Sequence, residues 1–147
     1  MDISHTEPLL LSICLTCRDG REDRYDGVRG GTRLARSLLA GRLTGESGCS
    51  ALRVRGVQCM SQCKRSCAIA LSGPNRFTYV FGDLDPQEPS HLDAVVTVSS
   101  LYRDATEGFL HREDRPAPLQ TGILGRVPPF NTGSDLVTPL APEVATR

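Results

Sequence analysis

The chain has 147 residues, a length that suits one domain and not two of full size. Hydrophobic residues make up 39% and charged residues 23%, which excludes a disordered polar chain and allows a core of modest size. Seventeen basic residues balance seventeen acidic ones and there is no Trp, so no nucleic-acid or membrane partner is expected, and no apolar run approaches the roughly 20 residues of a membrane span. The N-terminus has Asp2, Glu7 and no basic residue before its short apolar stretch. It is expected to be a strand entering a site and not an export signal, which places the chain in the cytoplasm, where structural disulfides are rare.

The run LLLSIC at 9–14 reads as a buried strand that ends at Cys14-Leu-Thr-Cys17. RDGREDRYDGVRGG reads as a surface loop. TRLARSLLAGRL then places Leu34, Ala35, Leu38 and Leu39 on one helical face, with Thr32 as N-cap. Residues 45–50 read as a loop and 52–58 as a second strand running into Cys59. CMSQCKRSC is a turn or short helix. CAIALSG and RFTYVFGDL, joined by Ser72-Gly73-Pro74-Asn75, form a β-hairpin. HLDAVVTVSSLYRDATEGFL reads as a second long helix, with Leu92, Val95, Val96 and Tyr102 packed on the sheet. The order β-α-β-β-β-α gives an α/β fold, a mixed sheet with helices packed on it. Beyond Arg115 lie six of the ten prolines. That stretch reads as a proline-rich extended tail over 115–147 behind a domain at 8–114. GILGRVPPF is expected to lie against the domain and the last dozen residues to be mobile.

Six cysteines, all within the first 67 residues, carry the chemistry. Cys14-x2-Cys17 follows the first strand and Cys59-x3-Cys63-x3-Cys67 follows the second. If those strands are adjacent and parallel, both groups emerge at one end of the sheet and four or five thiols share a small volume. Such thiolates favour zinc, copper(I) or iron–sulfur centres. Arg18, Arg21, Lys64 and Arg65 flank them, and positive charge favours thiolate. A dithiol redox pair at Cys14 and Cys17 and a zinc site remain open readings. Cys67 is either a substitute ligand or a small buried residue, and Cys49 reads as a spare thiol. His5, His91 and His111 are dispersed and read as surface residues. The glycines of GVRGG read as a turn before an anion cradle, and Asp83-Leu84-Asp85 as a solvated turn.

CLTCRDG, VQCMSQCKRSCAIALSGPNRFTYVFGDLDP and GRVPP together resemble the bacterial family of predicted metal-binding proteins described as DUF1636, over about residues 10 to 130. That family is similar to the thioredoxin-like [2Fe-2S] ferredoxins. The resemblance implies a thioredoxin-like sheet and a [2Fe-2S] cluster held by Cys14, Cys17, Cys59 and Cys63. It implies one-electron transfer to a redox partner protein with no bond chemistry of the chain's own. It also implies pairing of two copies through sheet edges and a supporting role in cobalamin or cobalt metabolism. The sequence departs from those ferredoxins at Cys17, which follows Cys14 more closely than their second ligand does, and at Cys67, which they do not need. Zinc is the alternative metal, in a zinc- or cobalt-handling module. Thiol–disulfide exchange is the second alternative, although the nearby Pro74 sits in a turn and not opposite the dithiol.

Overall fold

A computed structural model describes residues 8–43 and 52–140; His5, Cys49, the 45–50 loop and residues 141–147 lie outside them. The elements in chain order are β1 (Leu9–Cys14), α1 (Gly30–Gly41), β2 (Leu52–Val57), β3 (Ile69–Ser72), β4 (Thr78–Phe81), α2 (Pro89–Asp104), α3 (Pro118–Thr121) and β5 (Ile123–Val127). They form one five-stranded sheet in the order β2-β1-β3-β4-β5. β1 and β2 are parallel, with Leu9 opposite Leu52 and Cys14 opposite Val57. The other pairs are antiparallel.

Period-two alternation along β1 puts Leu9, Leu11 and Ile13 on one face. They share a core with Leu34 and Leu38 of α1 and Val95, Val98 and Tyr102 of α2. Each fully buried aliphatic side chain there is worth roughly 1.5–3 kcal/mol. Leu10, Ala70, Ser72 and Val80 lie on the opposite face and stay half-buried. The β3–β4 turn uses Asn75 at φ 56°, a left-handed conformation that Asn tolerates well.

Several expectations are corrected. α1 starts at Gly30, so Thr32 is not its N-cap; its hydroxyl donates to the Leu15 carbonyl at 2.9 Å. The helix starts early because the Glu22 carboxylate takes the Gly30 N–H and the Cys17 carbonyl takes the Gly31 N–H. Leu39, placed on the apolar face, is 47% exposed. α2 stops at Asp104 and does not run to Leu110. Glu107 and Gly108, both at positive φ, turn the chain there, and Arg76 of the hairpin donates to the carbonyls of Tyr102 (2.6 Å) and Arg103 (3.2 Å). That is favourable for a cation at a helix C-terminus.

The largest correction concerns the tail. Residues 123–127 pair with β4, from Thr78 opposite Val127 to Phe81 opposite Ile123. The boundary drawn at 114 therefore leaves out the last strand of the sheet. Arg115, 4% exposed, ties the connection down through the carbonyls of Leu119 and Leu110, and Leu119 is fully buried. The prolines mislead because they flank a proline-free window, and Pro118 opens α3 at a position where its missing donor costs nothing.

Candidate functional site

The parallel β1–β2 pair brings both thiol loops to the same end of the sheet. They are tied together there. Leu15 N–H donates to the Val57 carbonyl at 2.8 Å, and the Thr16 hydroxyl donates to the Gln58 carbonyl. The second loop is fastened to β1 again where Cys14 N–H meets the Ala68 carbonyl at 3.0 Å. The Ser66 hydroxyl reaches the Arg18 carbonyl at 2.5 Å.

Cys14 and Cys17 are 2% and 3% exposed and Cys67 is fully buried, whereas Cys59 and Cys63 are exposed. The two halves of the predicted set thus share an end of the sheet but differ in setting. Among the described residues, no group of three or more His, Cys, Asp and Glu side chains is gathered closely enough to hold a metal ion.

Hydrogen bonding sets the acidity of these thiols. Burial disfavours the Cys14 thiolate, but hydrogen bonds from Cys17, from the Met60 N–H and from Thr16 together outweigh it and hold the thiol below its usual range. Cys17 goes the other way. Burial pushes it up to about 12, against a hydrogen bond from the Ala68 N–H, and the neighbouring Cys14 and Cys63 add to the rise. Burial likewise raises Cys67 to about 12, with Cys17 and Asp19 contributing. The Ser61 N–H points at the Cys59 sulfur at 3.3 Å. Main-chain donors aimed at sulfur are the setting a thiolate needs.

The arginines expected to activate the thiols mostly do something else. Arg21 bridges Asp19 and Asp85, and Arg65 pairs with Asp83 at 2.5 Å. The Asp83-Leu84-Asp85 run therefore holds both thiol loops and is not a merely solvated turn. Arg33 lies beneath them. It is 7% exposed, its Nη2 bonds Asp19, its Nε bonds the Val28 carbonyl at 3.2 Å, and its guanidinium stacks on Tyr25 at 4.1 Å. The supposed surface loop at 18–31 is thus an ordered clasp around one buried arginine. No spacing in the sequence marks Arg33; only its helical place among the apolar residues hints at burial.

Two glycines make the approach of α1 possible. A Cβ at Gly31 would lie 1.8 Å from the Cys14 carbonyl oxygen. One at Gly30 would lie 2.9 Å from Asp19 and 3.1 Å from the Cys67 sulfur. The GVRGG glycines are therefore a packing requirement of the site, and the anion at this helix start is the chain's own Glu22.

Thiolate donors suit a soft metal centre. Cys14, Cys17, Cys59 and Cys63 stand at the same end of the sheet as candidate donors but are not drawn together around one point, and Cys67 is buried near Cys17.

This arrangement of strands and helices is that of a thioredoxin-like fold. It is similar to the structure of a thioredoxin-like [2Fe-2S] ferredoxin from Aquifex aeolicus, at 12% sequence identity and a TM-score of 0.50, covering 86% of this chain and 99% of that one. The chain belongs to the family described as protein of unknown function DUF1636, which it matches over residues 11–129. No curated protein matches it.

Proposed function

We propose that this protein is a small electron-transfer protein that binds a [2Fe-2S] cluster through Cys14, Cys17, Cys59 and Cys63. The observation that supports this reading is that two cysteine pairs leave the same end of a thioredoxin-like sheet, with the N–H groups of Met60, Ala68 and Ser61 directed at sulfur. When bound, the cluster supplies one-electron uptake and release. The chain's own part is to shield one thiol pair from water, present the other at the surface and offset thiolate charge with main-chain donors. No bond chemistry is assigned to the chain itself, and its partner is another redox protein. A supporting role in cobalamin or cobalt metabolism rests on the family resemblance alone.

The test is anaerobic purification with a visible spectrum and analysis of iron, zinc and labile sulfide. About two irons and two sulfides per chain, with bands that bleach on dithionite and vanish in Cys59→Ser or Cys63→Ser, are expected. A colourless protein with stoichiometric zinc would overturn electron transfer in favour of a metal-handling module.

One observation favours a second reading, thiol–disulfide exchange. Cys14 is acidified by its neighbour Cys17, as an attacking thiol would be. Against it, both sulfurs are buried, so a partner disulfide has no path to Cys14 while the loops hold this conformation. A protein that stays metal-free after cluster reconstitution and shows a titratable Cys14–Cys17 disulfide would establish it.

A further inference from the structure

The molecule is neutral overall, yet its charge is not evenly spread around the thiol loops. From Ser47 to Gly82 the chain contains no Asp or Glu. That stretch includes β2, which is an edge of the sheet, and the exposed loop of Cys59 and Cys63. Arg53 and Arg55 are exposed on β2 and share a face of it by the period of two. Lys64 is exposed beside Cys63, and Arg18 lies at the first loop, against Ser66. Arg53, Lys64 and Arg18 have no acidic partner among the described residues. Arg65, by contrast, is committed to Asp83. An open cleft of about 600 Å³ runs along the loop from Cys59 to Arg65.

We propose that this side, the β2 edge together with the Cys59–Arg65 loop, is the docking surface for an acidic face of a partner protein. The inference deepens the electron-transfer reading and rests on it: the partner would lie against the two exposed cysteines, where an electron has the shortest way out. Complementary charge speeds and orients such encounters, and redox contacts of this kind are small and transient. A second copy of the chain is the competing occupant of an open edge. Laid antiparallel on β2, it would bring Arg53 and Arg55 against the same two arginines, and like charges directly opposite destabilise a strand pair. The charge that repels a copy attracts an acidic surface.

A fluorescein-labelled oligoglutamate peptide serves as the acidic probe, with its anisotropy read against full-length protein at low ionic strength. Both the metal-loaded and the metal-free protein are measured. Binding is expected, weakening with added salt, and falling roughly fivefold in each of Arg53→Glu and Lys64→Glu, the scale of one exposed charge contact. Arg36→Glu on the exposed side of α1 is the control and is expected to bind as the parent does. Thermal melts establish that each variant is folded. Equal losses in all three variants, or no loss in any, would overturn the proposal. So would sedimentation showing a dimer that Arg53→Glu dissociates, which would assign the edge to a second copy. Because the binding readout does not depend on colour, a coloured protein that ignores the probe refutes this docking surface alone. A colourless one that binds it refutes electron transfer alone.

Discussion

Gly31→Ala tests how the site is held together. In an ordinary helix the exchange is favourable by about 0.5–1 kcal/mol, because Ala surrenders less backbone freedom on folding. Gly41, at the other end of α1, has nothing within 4 Å of a would-be Cβ, and Ala there is expected to stabilise by about 0.5 kcal/mol. At Gly31 the new methyl would stand 1.8 Å from the Cys14 carbonyl oxygen and 2.9 Å from its carbon. Both are backbone atoms, and that stretch is pinned by the Cys14–Ala68 and Leu15–Val57 hydrogen bonds. Relief requires moving α1 or the first thiol loop. Overpacking costs typically 1–3 kcal/mol, and with backbone as the obstacle the upper end applies, about 3 kcal/mol. At 2–4 °C per kcal/mol for a chain of this size, the two variants should differ by roughly 10 °C in Tm. Urea unfolding followed by far-UV circular dichroism gives the free energies directly. Gly30→Ala is expected in between, since two of its obstacles are side-chain atoms of Asp19 and the third is the Cys67 sulfur. Equal stabilities for Gly31→Ala and Gly41→Ala would refute the close seating of α1 on the thiol loop.

The acid limb of stability should report the clasp around Arg33. Burial raises the Asp19 pKa, but the Arg21 N–H and the Arg33 guanidinium outweigh it and bring it down to about 2. A depressed carboxyl contributes stability above its unfolded pKa and loses it as pH falls, so about 2 kcal/mol should be present above roughly pH 4 and vanish towards pH 2. Arg33→Met removes one of the two guanidiniums that meet Asp19 and leaves Arg21 on the other oxygen, so it is expected to cost about 2 kcal/mol at neutral pH, the scale of one charged hydrogen bond; an unchanged urea midpoint would count against the buried pair. In the reduced, metal-free chain, iodoacetamide should label Cys59 and Cys63 first and Cys17 and Cys67 last, since the latter two are buried with pKa values near 12. Peptide mass spectrometry reads the order, and early labelling of Cys67 would contradict its placement. A chain ending at Asp114 lacks β5 and the fully buried Leu119. Losing that one side chain alone costs about 2–5 kcal/mol, so the truncated chain should show no cooperative unfolding transition.

Elements with local signals were legible in the order of residues alone. The apolar run at 9–14, the alternation at Leu52 and Val54 and the Gly-Pro-Asn turn each mark their structure within a few residues, and β1, β2 and the hairpin stand where those signals put them. The cysteine spacing likewise pointed to one end of the sheet, because a strand–helix–strand crossover makes β1 and β2 parallel. The rest depends on contacts between distant segments. β5 is a strand because β4 offers an unpaired edge, a cause that no window around residues 123–127 contains. Which thiols are buried depends on how closely α1 seats, and that is governed by two glycines meeting a carbonyl and a sulfur from other parts of the chain. The roles of Arg21, Arg65 and Arg33 were hidden for the same reason. A charged residue in a loop or on a helix looks solvated until the fold brings Asp85, Asp83 or Asp19 to it, and the pairing then exists only between different segments of the chain.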